Sequence, residues 1–296
     1  NGNSTYQKSQ TSKITVNDNH SGGDTSTYKY IWSTDTNANP TTSFTSGSSY
    51  TKDGVTGDYY IVATACDLAG NCTTKQASNV FKIDNTKPTI TLTPDGNNTW
   101  STSQSSKITV SDDHSGGDTS TYKYIWSETN TATANISFTN NETVTKDGVT
   151  GEYYLIVRAC DKAGNCEDKV STSAFKISNS GPEITFGTDG NNTYAKSQST
   201  TINVSSVAPI DTSTLKYVWV ESATSTTNPT ETFTNGGTVT RNSGTGNYYL
   251  KVRACDTLGN CTTKTSNVFK LDNEAPVVTL TPDGNNTWST SQSSKI

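Results

Sequence analysis

The stretch YYLKVRACDTLGNC, Tyr248–Cys261, decides the fold. Taken at alternate positions, Tyr248, Leu250, Val252 and Ala254 are apolar or aromatic. Between them lie Tyr249, Lys251, Arg253 and Cys255. A period of two with charge on one face is a β-strand resting on a core, with its other face in solvent. On that alternation Cys255 belongs to the solvent face. After it the pattern stops. The letters between Cys255 and Cys261 are turn formers, with Gly-Asn expected to supply positive φ.

The same sentence is written three times. YYIVATACDLAGNC spans Tyr59–Cys72 and YYLIVRACDKAGNC spans Tyr153–Cys166. All 6 cysteines of the chain lie in these copies. Trp32, Trp126 and Trp219 recur in phase with them, as do DGNNTW at Asp95, DGNNTY at Asp189 and DGNNTW at Asp283. Self-similarity at one period is the mark of a repeat array. The unit is about 94 residues. The boundaries read as 1–84 for a first repeat cut at its start, 85–178 and 179–272 for two full repeats, and 273–296 for the start of a fourth. The run Thr91–Ile108 returns letter for letter at Thr279–Ile296. With no Met among 296 residues, the chain reads as a window on a longer array.

Apolar residues make up only 29 % and the formal net charge is −5. Aromatics at fixed phase argue for a folded unit whose second face is left to Ser and Thr. The acidic balance offers no patch for nucleic acid, and no run of 18 apolar residues could span a bilayer.

The runs KITV (Lys13–Val16), YKYIW (Tyr28–Trp32) and SNVFKI (Ser78–Ile83) are β-branched and aromatic, with turn letters between them. In the second repeat, strands are expected near 89–93, 107–110, 121–127, 135–138, 143–146, 152–160 and 166–177. That number suits an immunoglobulin-like sandwich, with Trp32, Trp126 and Trp219 in the core from the third strand. The doubled tyrosines, as at Tyr153-Tyr154, resemble a tyrosine corner. The expected fold is all-β: tandem immunoglobulin-like β-sandwiches of about seven strands each, arranged end to end as a rod. A short linker with Pro, as in FKIDNTKPTITL (Phe81–Leu92), would stiffen such a rod.

Two cysteines per unit are too few for structural zinc, and their spacing is not the redox spacing. Disulfides are therefore expected within each hairpin, Cys66 to Cys72, Cys160 to Cys166 and Cys255 to Cys261. They place the chain in an oxidising compartment, extracellular or at a cell surface.

A unit with DNTKPTIT at Asp84–Thr91, SGGDTSTYKYIW at Ser115–Trp126 and ACDKAGNC at Ala159–Cys166 followed by FKI resembles the bacterial Ig-like domains repeated in large surface adhesins and stalks. The resemblance implies cell-surface spacing, adhesion or fibre building, without enzymatic activity or a particular ligand.

Catalysis finds no footing in the letters. The 2 histidines, His20 and His114, sit in Asp-rich turns that the third repeat replaces with SSVAPIDT. Recurring Lys29, Lys123 and Lys216, and Gln10, Gln104, Gln198 and Gln292, could suggest internal cross-links. The plainer expectation is exposed lysines and turn glutamines. Calcium is the sharper candidate ligand. The loops at the entry end of a sandwich would gather Asp84, Asn85, Asp112, Asp113, Asp118 and Asp161 at the first junction, and such oxygens suit Ca²⁺. The second junction has Ser178, Asn179, Ser206 and Val207 at the matching places, and only Asp211 and Asp256 remain.

Two function classes follow. One is a structural spacer, stalk or filament shaft, whose partners are neighbouring repeats and laterally paired copies joined at open sheet edges. The other is a binding module whose loops recognise a glycan or protein. Near-identical copies favour the first.

Overall fold

The computed structural model describes residues 2–281, 283–284 and 286–296. Asn1, Pro282 and Asn285, which fall within the truncated outer repeats, lie outside the described residues.

Among the described residues every regular element is a strand. The first repeat carries β1 (Ser9–Lys13), β2 (Gly23–Ser33), β3 (Thr42–Ser43), β4 (Ser49–Asp53), β5 (Gly57–Asp67), β6 (Cys72–Gln76) and β7 (Phe81–Ile83). The second carries β8 (Thr89–Thr93), β9 (Asn97–Ser101), β10 (Ser103–Ser111), β11 (Gly117–Ser127), β12 (Ile136–Ser137), β13 (Thr143–Asp147), β14 (Gly151–Asp161), β15 (Cys166–Val170) and β16 (Phe175–Ile177). The third carries β17 (Glu183–Phe186), β18 (Asn191–Ala195), β19 (Gln198–Ser205), β20 (Ile210–Val220), β21 (Glu231–Thr232), β22 (Thr238–Arg241), β23 (Gly246–Asp256), β24 (Cys261–Thr265) and β25 (Phe269–Leu271). No helix is present among the described residues that could cross a membrane.

The second repeat shows the complete plan. One sheet has the order β13-β10-β8. The other has the order β12-β11-β14-β16-β9, with β15 pairing β14. The two sheets enclose one core, in which Ile108, Leu155, Val157, Ala159 and Phe175 are fully buried. Trp126 is half-buried and stands edge-on to Phe175, with ring centroids 4.9 Å apart. Trp32 and Trp219 meet Phe81 and Phe269 in the same way.

Two differences from the sequence expectation have physical causes. The last expected strand, 166–177, is split into β15 and β16, because the chain bends at Ser171–Ala174 to deliver Phe175 to the core. A further strand, β9, runs parallel to β16. Its letters NNTWS show no apolar alternation, because it lies at an edge and contributes little to the core. The doubled tyrosine also differs from a tyrosine corner: the Tyr153 hydroxyl donates to Glu128 Oε1 at 3.1 Å, a carboxylate rather than a backbone carbonyl.

Of the glutamines read as turn residues, Gln10, Gln104 and Gln198 are buried and Gln292 is exposed. Gln104 Nε2 donates to the carbonyls of Thr99 (2.8 Å) and Lys176 (3.1 Å), and its Oε1 accepts from Asn97 Nδ2 at 3.1 Å. Gln10 and Gln198 make the equivalent pair of donations. One amide thus ties β9, β10 and β16 together in the second repeat. Lys29 and Lys123 are bonded instead to Ser43 and Ser137, at 2.6 Å each.

The chain divides into two compact units, 1–177 and 178–296. The first unit holds the first two repeats with the junction between them.

Candidate functional site

The hairpin at the end of β14 is closed from within. Asp161 N–H donates to Asn165 O at 2.9 Å, and Gly164 takes φ +89°, which suits glycine alone. Asn165 does not share the positive φ expected of it. Its amide N–H donates to Asp161 Oδ1 (2.8 Å) and its side-chain Nδ2 to Asp161 Oδ2 (2.7 Å). Asn71 with Asp67 and Asn260 with Asp256 repeat this geometry. At the base, Cys160 and Cys166 face each other across the ladder, and disulfides join Cys66 to Cys72, Cys160 to Cys166 and Cys255 to Cys261.

The alternation put Cys255 on the solvent face, yet Cys255 and Cys160 are buried. The linker explains this for the third repeat, since it passes over the hairpin. A Cβ placed on Gly181 would fall 2.7 Å from the carbonyl carbon of Cys261.

Within the first unit, the linker between the first two repeats meets the hairpin of the second. The second side-chain hydrogen of Asn165 is donated to the carbonyl of Asp84, 81 residues earlier, at 3.0 Å. Within the second unit, Asn260 Nδ2 reaches the Ser178 carbonyl at the same distance. Asp84 and Ser178 are fully buried.

At the first junction the dipeptide Asp84-Asn85 divides its bonds between the two repeats. Asn85 turns back: its Nδ2 donates to the carbonyls of Lys8 and Val55 at 2.8 Å each, and its N–H to Thr56 Oγ1 at 2.9 Å. Asp84 donates its amide back to the Gln7 carbonyl at 2.9 Å and turns its acceptors forward. Its carbonyl accepts from Asn165, and its Oδ2 accepts from the Ser115 amide at 3.0 Å. Its Oδ1 accepts from the Thr86 amide at 3.0 Å. Lys87 adds an ion pair to Glu167 at 3.1 Å, exposed enough to count for little. Tyr6 of the first repeat meets His114 of the second edge-on, with centroids 6.1 Å apart.

The acidic residues expected to gather do so only in part. Asp84, Asp112 and Asp161 each bring a carboxylate oxygen within 4.8 Å of the others. Asp112 Oδ1 accepts from the amides of His114 and Gly116, while its Oδ2 is buried without a hydrogen-bond partner. Asn85, Asp113 and Asp118 stand apart from the cluster. Asn85 is committed to the first repeat. Asp113 is exposed. Asp118 closes its own turn by accepting from Ser120 N and Oγ, where β11 is bulged.

Burial alone would raise the Asp84 carboxyl. Hydrogen bonds from Ser115 and from the Thr86 amide, together with the charge on His114, outweigh burial and hold it below the usual carboxylate range. In the second unit the same place holds Ser178, whose Oγ lies 3.5 Å from Asp256 Oδ2. Sequence reading assigned Asn165 and Asn260 only a turn role. The signal that could have found them is the invariance of Gly-Asn-Cys across three copies whose neighbouring letters vary.

Residues 50–116 match the family model of the bacterial Ig-like domain (group 3), a window running from β4 across the first junction to the start of β11. No curated protein sequence matches the chain. Among solved structures, Sidekick-1 immunoglobulin domains 1–4 align at 11 % identity over 91 % of this chain and 73 % of that one, with a TM-score of 0.30. The three N-terminal domains of the bacteriophage RB49 highly immunogenic outer capsid protein align at 13 % identity over 90 % and 95 %, with a TM-score of 0.31. The human desmocollin-1 ectodomain aligns at 12 % identity over 92 % of this chain and 53 % of its own length, with a TM-score of 0.31. Likenesses this loose carry no functional argument. The family window spans the end of one copy and the start of the next, and within it the chain is similar to the bacterial Ig-like domain.

Proposed function

We propose that this chain is a spacer segment of a bacterial extracellular protein, a shaft whose partners are its own neighbouring repeats. The observation that carries the reading is the recurrence of the Asn clasp. Asn165 to Asp84 O and Asn260 to Ser178 O are made by the same letters at the same 3.0 Å. Repetition in this chain is spent on joining repeats, whereas recognition loops would be expected to diverge. Small-angle scattering tests it. A spacer with clasped linkers gives a profile fitted by one narrow distribution of inter-repeat angles, and a profile of freely jointed repeats contradicts the reading.

The reading includes a Ca²⁺ ion at the first junction. Its support is Asp112 Oδ2, buried and without a donor, beside the carboxylates of Asp84 and Asp161. Three carboxylates supply part of the six to eight oxygens Ca²⁺ takes, with carbonyls or water completing the shell. Calcium should raise the melting temperature of the chain, and Asp112→Asn should abolish that rise. A melting curve indifferent to calcium contradicts it.

A further inference from the structure

The third repeat carries a polar cleft between the turn that opens β18 and the start of β23. It is about 430 Å³ and is lined by Asp189, Gly190, Asn192, Ala223, Tyr249 and Asn267 among others. That size falls in the range of small-molecule sites, roughly 300–1,000 Å³. The cleft is held in shape from behind. Asn191 N–H donates to the Val268 carbonyl at 2.7 Å, and Asn191 Nδ2 to Gln198 Oε1 at 3.2 Å. The loop that brings Ala223 is pinned where Lys251 Nζ donates to the Ser225 carbonyl at 2.8 Å. Asp189 Oδ1 accepts from Asn267 N–H at 2.8 Å and Oδ2 from Asn267 Nδ2 at 3.2 Å. Each oxygen keeps acceptor capacity to spare, and no cation pairs with it among the described residues. Tyr249 is partly exposed. Its hydroxyl and the Asn192 side chain have no hydrogen-bond partner among the described residues.

The first repeat has the same cleft, about 500 Å³, lined by Gly2, Asn3, Ser4, Tyr60 and Asn79 among others. The place of Asp189 is taken there by Asn1, outside the described residues. The third repeat has its cleft with the strand that leads into it, β17, in place, and the first has it with the following repeat in place. The cleft is therefore a property of the repeat and not of either chain end. The second repeat differs. Lys169 Nζ sits on Asp95 Oδ2 at 2.8 Å, whereas its counterpart Lys264 turns to the Ile184 carbonyl at 2.9 Å.

We propose that the clefts of the first and third repeats each bind one uncharged sugar residue of a polysaccharide. The Tyr249 ring offers an apolar surface to the C–H side of a pyranose, and its hydroxyl offers a polar handle. The Asp189 carboxylate, an acceptor only, takes hydrogen bonds from neighbouring sugar hydroxyls, and the Asn192 amide both donates and accepts. An uncompensated carboxylate disfavours an anionic ligand. The only aliphatic side chains in the wall are those of Ala223 and Val268, which make no socket for the side chain of a peptide. The site adds a binding role to the spacer and does not depend on that reading.

Native electrophoresis through gels that contain a neutral glucan, mannan or galactan tests the proposal, with plain gel as the reference. The net charge of −5 draws the chain through all of them. At least one of the polymers should retard the unaltered chain. Tyr60→Ala combined with Tyr249→Ala should lose that retardation. Asn192→Ala, which removes no side-chain bond of the fold, should reduce it. Tyr154→Ala makes the same change at the matching place of the second repeat, where Lys169 occupies the carboxylate, and should leave the retardation as it was. The proposal is overturned if none of the three polymers retards the chain, or if the paired tyrosine variant is still retarded. It is overturned equally if Asn192→Ala changes nothing, or if Tyr154→Ala alone abolishes the effect.

Discussion

Asn165 reaches back across 81 residues to place its side-chain Nδ2 3.0 Å from the main-chain carbonyl of Asp84. Its other side-chain hydrogen and its own amide are held by Asp161. One side chain therefore seals the tip of a hairpin and fixes the linker that enters the same repeat. Because Asp84 is fully buried, its carbonyl has no water to turn to if Asn165 is lost.

Replacing Asn165 by Ala should destabilise the second repeat by about 1–3 kcal/mol, the cost of leaving a buried acceptor unpaired. The control is Asn71→Ala. Asn71 is exposed and its Nδ2 bonds only Asp67 in its own hairpin, so its loss should cost clearly less. Denaturant unfolding of both variants would measure the difference. Equal effects would mean that the hairpin, and not the linker bond, is what Asn165 supports.

Acid should loosen the first junction. The Asp84 carboxyl is held below its ordinary range in the folded chain, so its charged form favours folding. That contribution is present above the unfolded value of about 3.9 and is lost as pH falls through the lower folded value. Melting temperature should decline below about pH 4, and Asp84→Asn should flatten that part of the profile.

Reduction of the hairpin disulfides should be survivable. Each closes a short loop of separation 6, for which the chain-entropy model gives roughly 2 kcal/mol. Cys160→Ser with Cys166→Ser should lower the midpoint of unfolding while the strand signature in circular dichroism persists. Global loss of structure would show the disulfide to be the main support of the repeat.

Gln104→Ala should be among the costlier single changes. It leaves the carbonyls of Thr99 and Lys176 short of a donor beside a buried hole, a loss of about 2 kcal/mol or more. Thermal unfolding of the variant checks it, and a change within experimental error would show that water replaces the amide.

The strand that sets the fold was legible because β23 obeys the alternation of a half-buried strand from Tyr248 to Ala254. The position of Trp126 on β11 followed from its phase with that pattern. What stayed hidden was held by polar groups with distant main-chain partners. The strand β9 has polar letters and lies at an edge. Gln104 reads as a turn residue, since nothing in SQS says that its amide bridges a carbonyl 72 residues away. Asn165 reads as a turn former because its partner is a main-chain carbonyl, which leaves no mark in the letters. The acidic cluster was half legible. Proximity of loops could be inferred from the fold, but the local turns that claim Asp118 and the return of Asn85 to the first repeat could not.

At the first junction the linker is bonded into both flanking repeats and not merely stretched between them. Amide hydrogen exchange at Thr86 and Ser115, whose amides donate to the Asp84 carboxylate, tests this in the unaltered chain and in Asn165→Ala. Strong protection is expected in the unaltered chain, comparable to the core strand β14, with a marked loss of it in the variant. Exchange in the unaltered chain as fast as in an exposed loop would contradict it.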